Sequence, residues 1–204
     1  MATKTSKSSN RMWLLVGIAV VLTLVRLWIA FQWFNELGWK APWEGSGGYG
    51  CDSYKFNPPP GQGLHGLCDW MQREADQPAI GLYGDFVRNV VIPNFGLFAP
   101  LSFLTETFIT FSLLFGFLTR LGGLVGGLWA VSLLIGLVGI PGESASFYLT
   151  FIVVSGLFGV IGARYQFSVD SLLAKNYDKL GKKNRLGKLL KLATGAQPGS
   201  AGVL

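Results

Sequence analysis

The run from Met12 to Phe34, MWLLVGIAVVLTLVRLWIAFQWF, limits the possible folds more than any other stretch. An apolar helix of this length spans the roughly 30 Å hydrocarbon core of a bilayer. Arg26 interrupts the run. At that depth an arginine costs about 2.5 kcal/mol or more unless it has a partner or reaches water. Only one acid, Glu106, lies inside another apolar segment, LSFLTETFITFSLLFGF. Whether these two charges meet is the first question the sequence poses.

The rest of the composition agrees with a membrane chain. Half of the residues are hydrophobic, 14% are charged and the mean hydropathy is +0.41, which fits a polytopic membrane protein and not a soluble domain. At 204 residues, one compact bundle of a few helices is the natural size. Seven Trp and fifteen Phe suit lipid contact and interfacial aromatic belts. A cleaved signal peptide would need a shorter apolar core and a small-residue site. Here the run continues into QWFNELGWK without such a site, so it reads as a retained first helix.

Residues 1–11, with Lys4, Lys7 and Arg11, read as a short disordered tail on the cytoplasmic side. The outer loop 35–94 holds seven acids against four bases, and its first half is rich in Gly and Pro. It also holds both cysteines. Cys51 and Cys68 are candidates for a disulfide if that face is oxidising, and otherwise are two thiols. Their spacing is unlike a CxxC redox pair, so a bridge there would be a structural staple. From Leu67 to Val91, apolar residues interleave with charges. This predicts one or two amphipathic helices at the outer interface, broken near Pro78 and Gly84 and anchored by Trp70, Tyr83 and Phe86.

A second span is expected from about residues 95–97 to Leu118, a third from Leu121 to about Ile140, and a fourth from Ser146 to about Ala163. Thr119-Arg120 and Pro141 to Ser144 would make the turns. Four spans put both termini on one side, and the charges agree. Arg120 lies in the inner turn and the outer turn carries only Glu143. Arg164, Lys175, Lys179, Lys182, Lys183, Arg185, Lys188 and Lys191 follow the last span, against Asp170 and Asp178. The expected fold is therefore an all-α integral membrane protein, a four-transmembrane-helix bundle over 12–167 with both termini in the cytoplasm. Residues 168–193 read as a basic amphipathic helix, weakened at Gly181 and Gly187, lying on anionic lipid or docking a cytoplasmic partner; nucleic acid is the weaker reading. Residues 194–204 look unstructured.

At about 1.5 Å per residue, Arg26 lies roughly 12 Å and Glu106 roughly 15 Å below the outer face, so an antiparallel pair of helices could join them. Arg26, Trp33 and Lys40 recur every seven residues on one helix face. Ser102, Glu106 and Thr110 recur every four on another. Together they outline a cleft with Trp33 and Trp39 as flat walls. Two readings stand side by side. In one, the pair is a structural clamp that fixes helix register. In the other, it is a site for a polar-headed lipophilic ligand such as a quinone, or a proton path through Glu106.

Other chemistry is narrowed by elimination. The single histidine, His65, rules out bis-histidine haem ligation within the chain. No Cys/His cluster for a metal, phosphate-binding loop or nucleophile–base pair stands out. The glycines of GGLVGG and the Ser155-xxx-Gly159 pattern suit close packing of the third and fourth spans.

Three blocks, in order, resemble the DoxX/DoxD family, which includes the small membrane subunit of thiosulfate:quinone oxidoreductase. RLWIAFQWFNELGWKAP is similar to its first-helix signature, with Arg26 and Lys40 on the signature's arginine and lysine. IPNFGLFAPLSFLTETFITFSLLFGFLTRLGGLVGGL is similar to its central block, with Glu106 on the glutamate and Thr119-Arg120 at the turn. GARYQFSVDSLL resembles its closing block, with Asp170 on the aspartate. The resemblance implies a four-helix bundle, quinone-linked electron transfer, assembly with partner subunits and a bacterial or archaeal cell membrane. Arg26, Lys40 and Glu106 would then hold a quinone headgroup or its protons. The alternative is a non-catalytic assembly subunit of a larger respiratory or photosynthetic complex, consistent with the lack of any redox ligand set.

Overall fold

The computed structural model describes residues 3–41, 67–164 and 166–195, apart from the side chains of 3–11 and 39. Every regular element among them is helical. Helix α1 (Thr3–Leu37) ends in a 3-10 turn, Gly38–Lys40. Helix α2 covers Leu67–Asp76 and α3 covers Gly81–Phe86. A π-helical turn (Val87–Val91) and a 3-10 turn (Ile92–Asn94) carry α3 directly into α4, Phe95–Phe115. Helices α5 (Thr119–Leu137), α6 (Ala145–Ile161), α7 (Val169–Lys183) and α8 (Arg185–Thr194) follow.

Three stretches are long and apolar enough to cross a membrane: Met12–Leu37, Gly81–Phe115 and Thr119–Leu137. The fourth expected span, α6, has 17 residues. Its length of about 25 Å puts it at the short end of the range that crosses a hydrocarbon core. Large apolar side chains such as Leu24, Phe31, Leu104, Leu128 and Val153 are exposed on these helices, a surface suited to lipid.

Several local features differ from the sequence expectation. The backbone is helical from Thr3, where polar composition suggests a tail. An already nucleated helix extends at little cost through residues that lack a breaker. Gly84 does not break its helix. It is buried against the α2–α3 loop, where an added Cβ would come within 2.5 Å of Pro78 Cγ. The wide turn at Val87–Val91 sits just ahead of Pro93, whose ring would otherwise meet the carbonyl four residues back. Thr119-Arg120 is not a turn but the start of α5. The turn falls at Gly116 and Leu118, both at positive φ (65° and 52°).

The chain divides into two compact units, and α1, α4, α5 and α6 contribute residues to both. One unit comprises Met1–Phe31, Ile109–Gly127 and Val153–Leu204. There α5 and α6 pack through small residues. A Cβ on Gly123 would lie 2.3 Å from Gly159 N and 2.7 Å from Ser155 O. This is the close approach that the glycine pattern foretells. Gly123→Leu is therefore expected to destabilise the folded chain by about 1–3 kcal/mol through overpacking. A thermal unfolding midpoint in detergent equal to that of wild type would contradict this contact.

In the same unit, α7 and α8 form a helical hairpin where the sequence suggested one helix over 168–193. Asn184 is extended and its side chain accepts a hydrogen bond from Gly187 N, starting α8. Of the two glycines that look like weak points, Gly187 lets the hairpin close: a Cβ on it would lie 2.3 Å from Gly181 N, whereas one on Gly181 would meet only ordinary contacts. Lys191 bridges to Asp178 at 2.6 Å, and Ala163 N donates to Thr194 O at 2.9 Å, fixing the end of α8. Lys191 is thus committed to the hairpin. Lys175, Lys179, Lys182, Lys183, Arg185 and Lys188 are exposed, alongside Leu186, Leu189 and Leu192 on α8.

The other unit comprises Gln32–Phe108 and Leu128–Ile152. Here Cys68, Met71 and Ala75 of α2 pack against Val87, Val91, Phe95 and Ala99. Cys51, the other half of the candidate disulfide, lies outside the described residues. The α2–α3 loop lies on α5: Ala79 N donates to Ile135 O at 3.0 Å, and a Cβ on Gly139 would lie 2.2 Å from Gln77 O. Residues 67–80 are therefore packed on a long helix and are more than an interfacial float.

Candidate functional site

The second unit holds a partly open cavity of about 600 Å³. Its position follows from local chemistry. The 3-10 turn after α1 brings Lys40 inward, and its ammonium donates to both carboxylate oxygens of Glu106 at 2.6 Å. Trp129 of α5 donates its indole N–H to Glu106 Oε1 at 2.9 Å. Glu106 is 1% exposed and Lys40 6%. A buried charge pair is tolerable only when its hydrogen-bonding capacity is met, and three donated bonds meet it here. Both charges, together with Ser102 and Trp129, line the cavity wall.

The remaining walls are largely apolar and aromatic. Trp33 is fully buried and meets Phe151 edge-on at 4.6 Å, and Phe147 lies beyond, tilted at 48° and 4.8 Å from Phe151. Phe86 and Phe98 form a second edge-on pair, 6.4 Å apart. Trp70, Val87 and Leu137 fill the space between. Two more acids face the cavity with phenols attached: Tyr148 donates to Glu143 at 2.5 Å, and Tyr83 donates to Glu74 at 3.2 Å. Glu74 lies outside the candidate spans, and burial raises its carboxyl from 4.5 to about 7. The Tyr83 hydrogen bond and Lys40 oppose that rise, and Glu106 adds to it.

The expected pairing of Arg26 with Glu106 is replaced by two separate arrangements. Glu106 has Lys40. Arg26, in the first unit, is buried with its guanidinium over Gly116, where an added Cβ would lie 1.7 Å from Nη1. It donates to Phe167 O at 2.9 Å and is attracted by Asp170. Depth arithmetic could not see this, because Lys40 and Phe167 both lie beyond helix ends, where the chain bends back. Thr110 is also buried in the first unit, and is not among the cavity's lining residues. The Trp39 side chain lies outside the described residues. Of the candidate set, Lys40, Glu106, Trp33 and Ser102 come together.

Sequence reading missed Glu74, Tyr83, Trp129, Glu143 and Tyr148. One of them was legible: Glu74 falls on the face of α2 that carries Met71 and Ala75, an acid on an otherwise apolar stripe. Trp129 gave no signal beyond an indole that needs a partner once buried. Compared with family models, characterised proteins and solved structures, the chain matches none.

Proposed function

We propose that this chain is a multi-pass membrane subunit of a quinone-linked redox complex, of the DoxX/DoxD kind, and that its cavity takes the quinone headgroup. The observation behind this is the Lys40–Glu106 pair with its Trp129 donor. It lies on the wall of a largely apolar cavity and is not sealed within packing. A flat ring with two carbonyl acceptors suits such a space. Trp33 and the phenylalanines offer faces and edges, and the Lys40–Glu106 pair offers a polar, charged end to the same space. When bound, a quinone would accept electrons from a redox partner. This chain would contribute the binding, orientation and water exclusion. Four spans with both termini in the cytoplasm, in a bacterial or archaeal inner membrane, fit the basic α7–α8 hairpin and Arg120.

The test is binding of a short-chain quinone analogue to the purified chain in lipid nanodiscs, followed by quenching of tryptophan fluorescence. Glu106→Gln is expected to weaken binding at least tenfold, because Lys40 loses the carboxylate that holds its ammonium at the cavity wall; thermal unfolding of the same variant is read alongside, since a buried Lys40 without its carboxylate also destabilises the fold. The second reading, a non-catalytic assembly subunit, is favoured by the mutual satisfaction of Lys40 and Glu106. It prevails if wild type binds no quinone and instead co-purifies with a large complex.

A further inference from the structure

Glu74 differs from Glu106, which is held by a cation and an indole, and from Glu143, which has a phenol but is only partly buried; among the described residues Glu74 accepts one hydrogen bond, from Tyr83. Its carboxyl group is pressed onto α5. An added Cβ on Gly136 would lie 2.9 Å from both Cδ and Oε2 of Glu74, so a bare backbone is what makes room for it. It is 9% exposed, and it shares the cavity with Lys40, Glu106, Glu36 and Glu143. Those four, with Tyr83 and Tyr148, are the titratable groups that face the same space among the described residues. A carboxyl in this position has one phenol donor and feels the charge of Lys40, while burial and Glu106 act the other way, so its charged and neutral forms are closely balanced.

We propose that Glu74 is the proton-exchanging group of the cavity. As a carboxylate it accepts the Tyr83 hydrogen bond. As a neutral acid it donates its own O–H to a carbonyl oxygen of the ligand, and that proton comes from and returns to water. This rests on the quinone reading for the identity of the ligand, but the exchange of a proton at Glu74 does not. Burial places the exchange near pH 7, between the ordinary carboxylate range and that of a phenol. The geometry supplies part of what a proton donor needs, a carboxyl on the cavity wall held in place by packing against Gly136.

The ligand-free chain in nanodiscs tests the proton directly. Infrared difference spectra between acid and alkaline pH should show a carboxylic-acid C=O band that titrates near pH 7 and disappears in Glu74→Gln. No such band, or a band that persists in Glu74→Gln, overturns the proposal. Glu74→Gln also mimics the neutral acid in shape, which keeps the fold in place. Binding of the quinone analogue then reads the linkage. In wild type, affinity should fall about tenfold per pH unit above the titration point, and in Glu74→Gln it should be flat. Wild-type binding that is flat with pH overturns the donor role while leaving the quinone site intact. No binding at any pH overturns the quinone reading, and the infrared titration still decides the proton.

Discussion

Lys40→Met is expected to destabilise the folded chain by about 3–5 kcal/mol, among the largest effects of any single substitution in the cavity unit. The reason is not the value of the pair itself, because taking two charges out of water offsets much of their attraction. The penalty arises when one partner is removed and the other stays. Glu106, 1% exposed, would keep only the Trp129 hydrogen bond. The double variant Lys40→Met/Glu106→Leu should recover most of the loss, since an apolar pair of similar volume leaves no orphaned charge. Thermal unfolding in one detergent at fixed pH measures the cycle. If the single variant unfolds at the wild-type temperature, the two side chains are not paired in solution. If the double variant is stable but binds no quinone, the pair serves the ligand and not the fold.

Asp170→Ala is expected to have a comparable cost, about 3–5 kcal/mol, for a different reason. Asp170 is fully buried at the start of α7 and caps another helix. Its carboxylate accepts Leu118 N at 3.0 Å, and Thr119 N and the Thr119 hydroxyl at 2.8 Å each. These amides are among the unpaired donors that open α5. The same carboxylate attracts Arg26. Alanine would orphan two backbone donors and remove the charge that offsets a buried guanidinium. Asp170→Asn, which keeps an acceptor without the charge, should lose less. Limited proteolysis at the Gly116–Leu118 turn, alongside thermal unfolding, reads both variants. Equal protection in wild type and Asp170→Ala would contradict the cap.

These two carboxylates show where sequence reading succeeds and where it stops. Arg26 and Glu106 stand out in apolar runs because a charge there demands a partner. The runs name the charges but not the partners. Glu106 finds Lys40 because a 3-10 turn folds the chain inward just past α1. Arg26 finds Phe167 and Asp170 because α7 begins with a Ser168–Ser171 capping box beneath the α4–α5 turn. Neither turn has the hydrophobic period that marks helices in sequence, so both were invisible to it. Gly181 and Gly187 give the converse case. Helix propensity alone counts them as weak points, but in three dimensions the bare backbone of Gly187 is what lets α8 lie against Gly181 of α7.

The sequence by itself determined the class of protein: apolar helices of bilayer length, small residues where α5 meets α6, a basic end, and two charges in need of partners. These follow from lengths, periods and transfer energies, all properties of neighbours along the chain. The tertiary structure alone decided which charge meets which, and it turned the expected 168–193 helix into a hairpin. It also placed α2 on α5 and shaped a cavity with Glu74 on its wall. Those outcomes depend on side chains far apart in sequence competing for the same few buried donors and acceptors, and that competition is settled only when the helices pack.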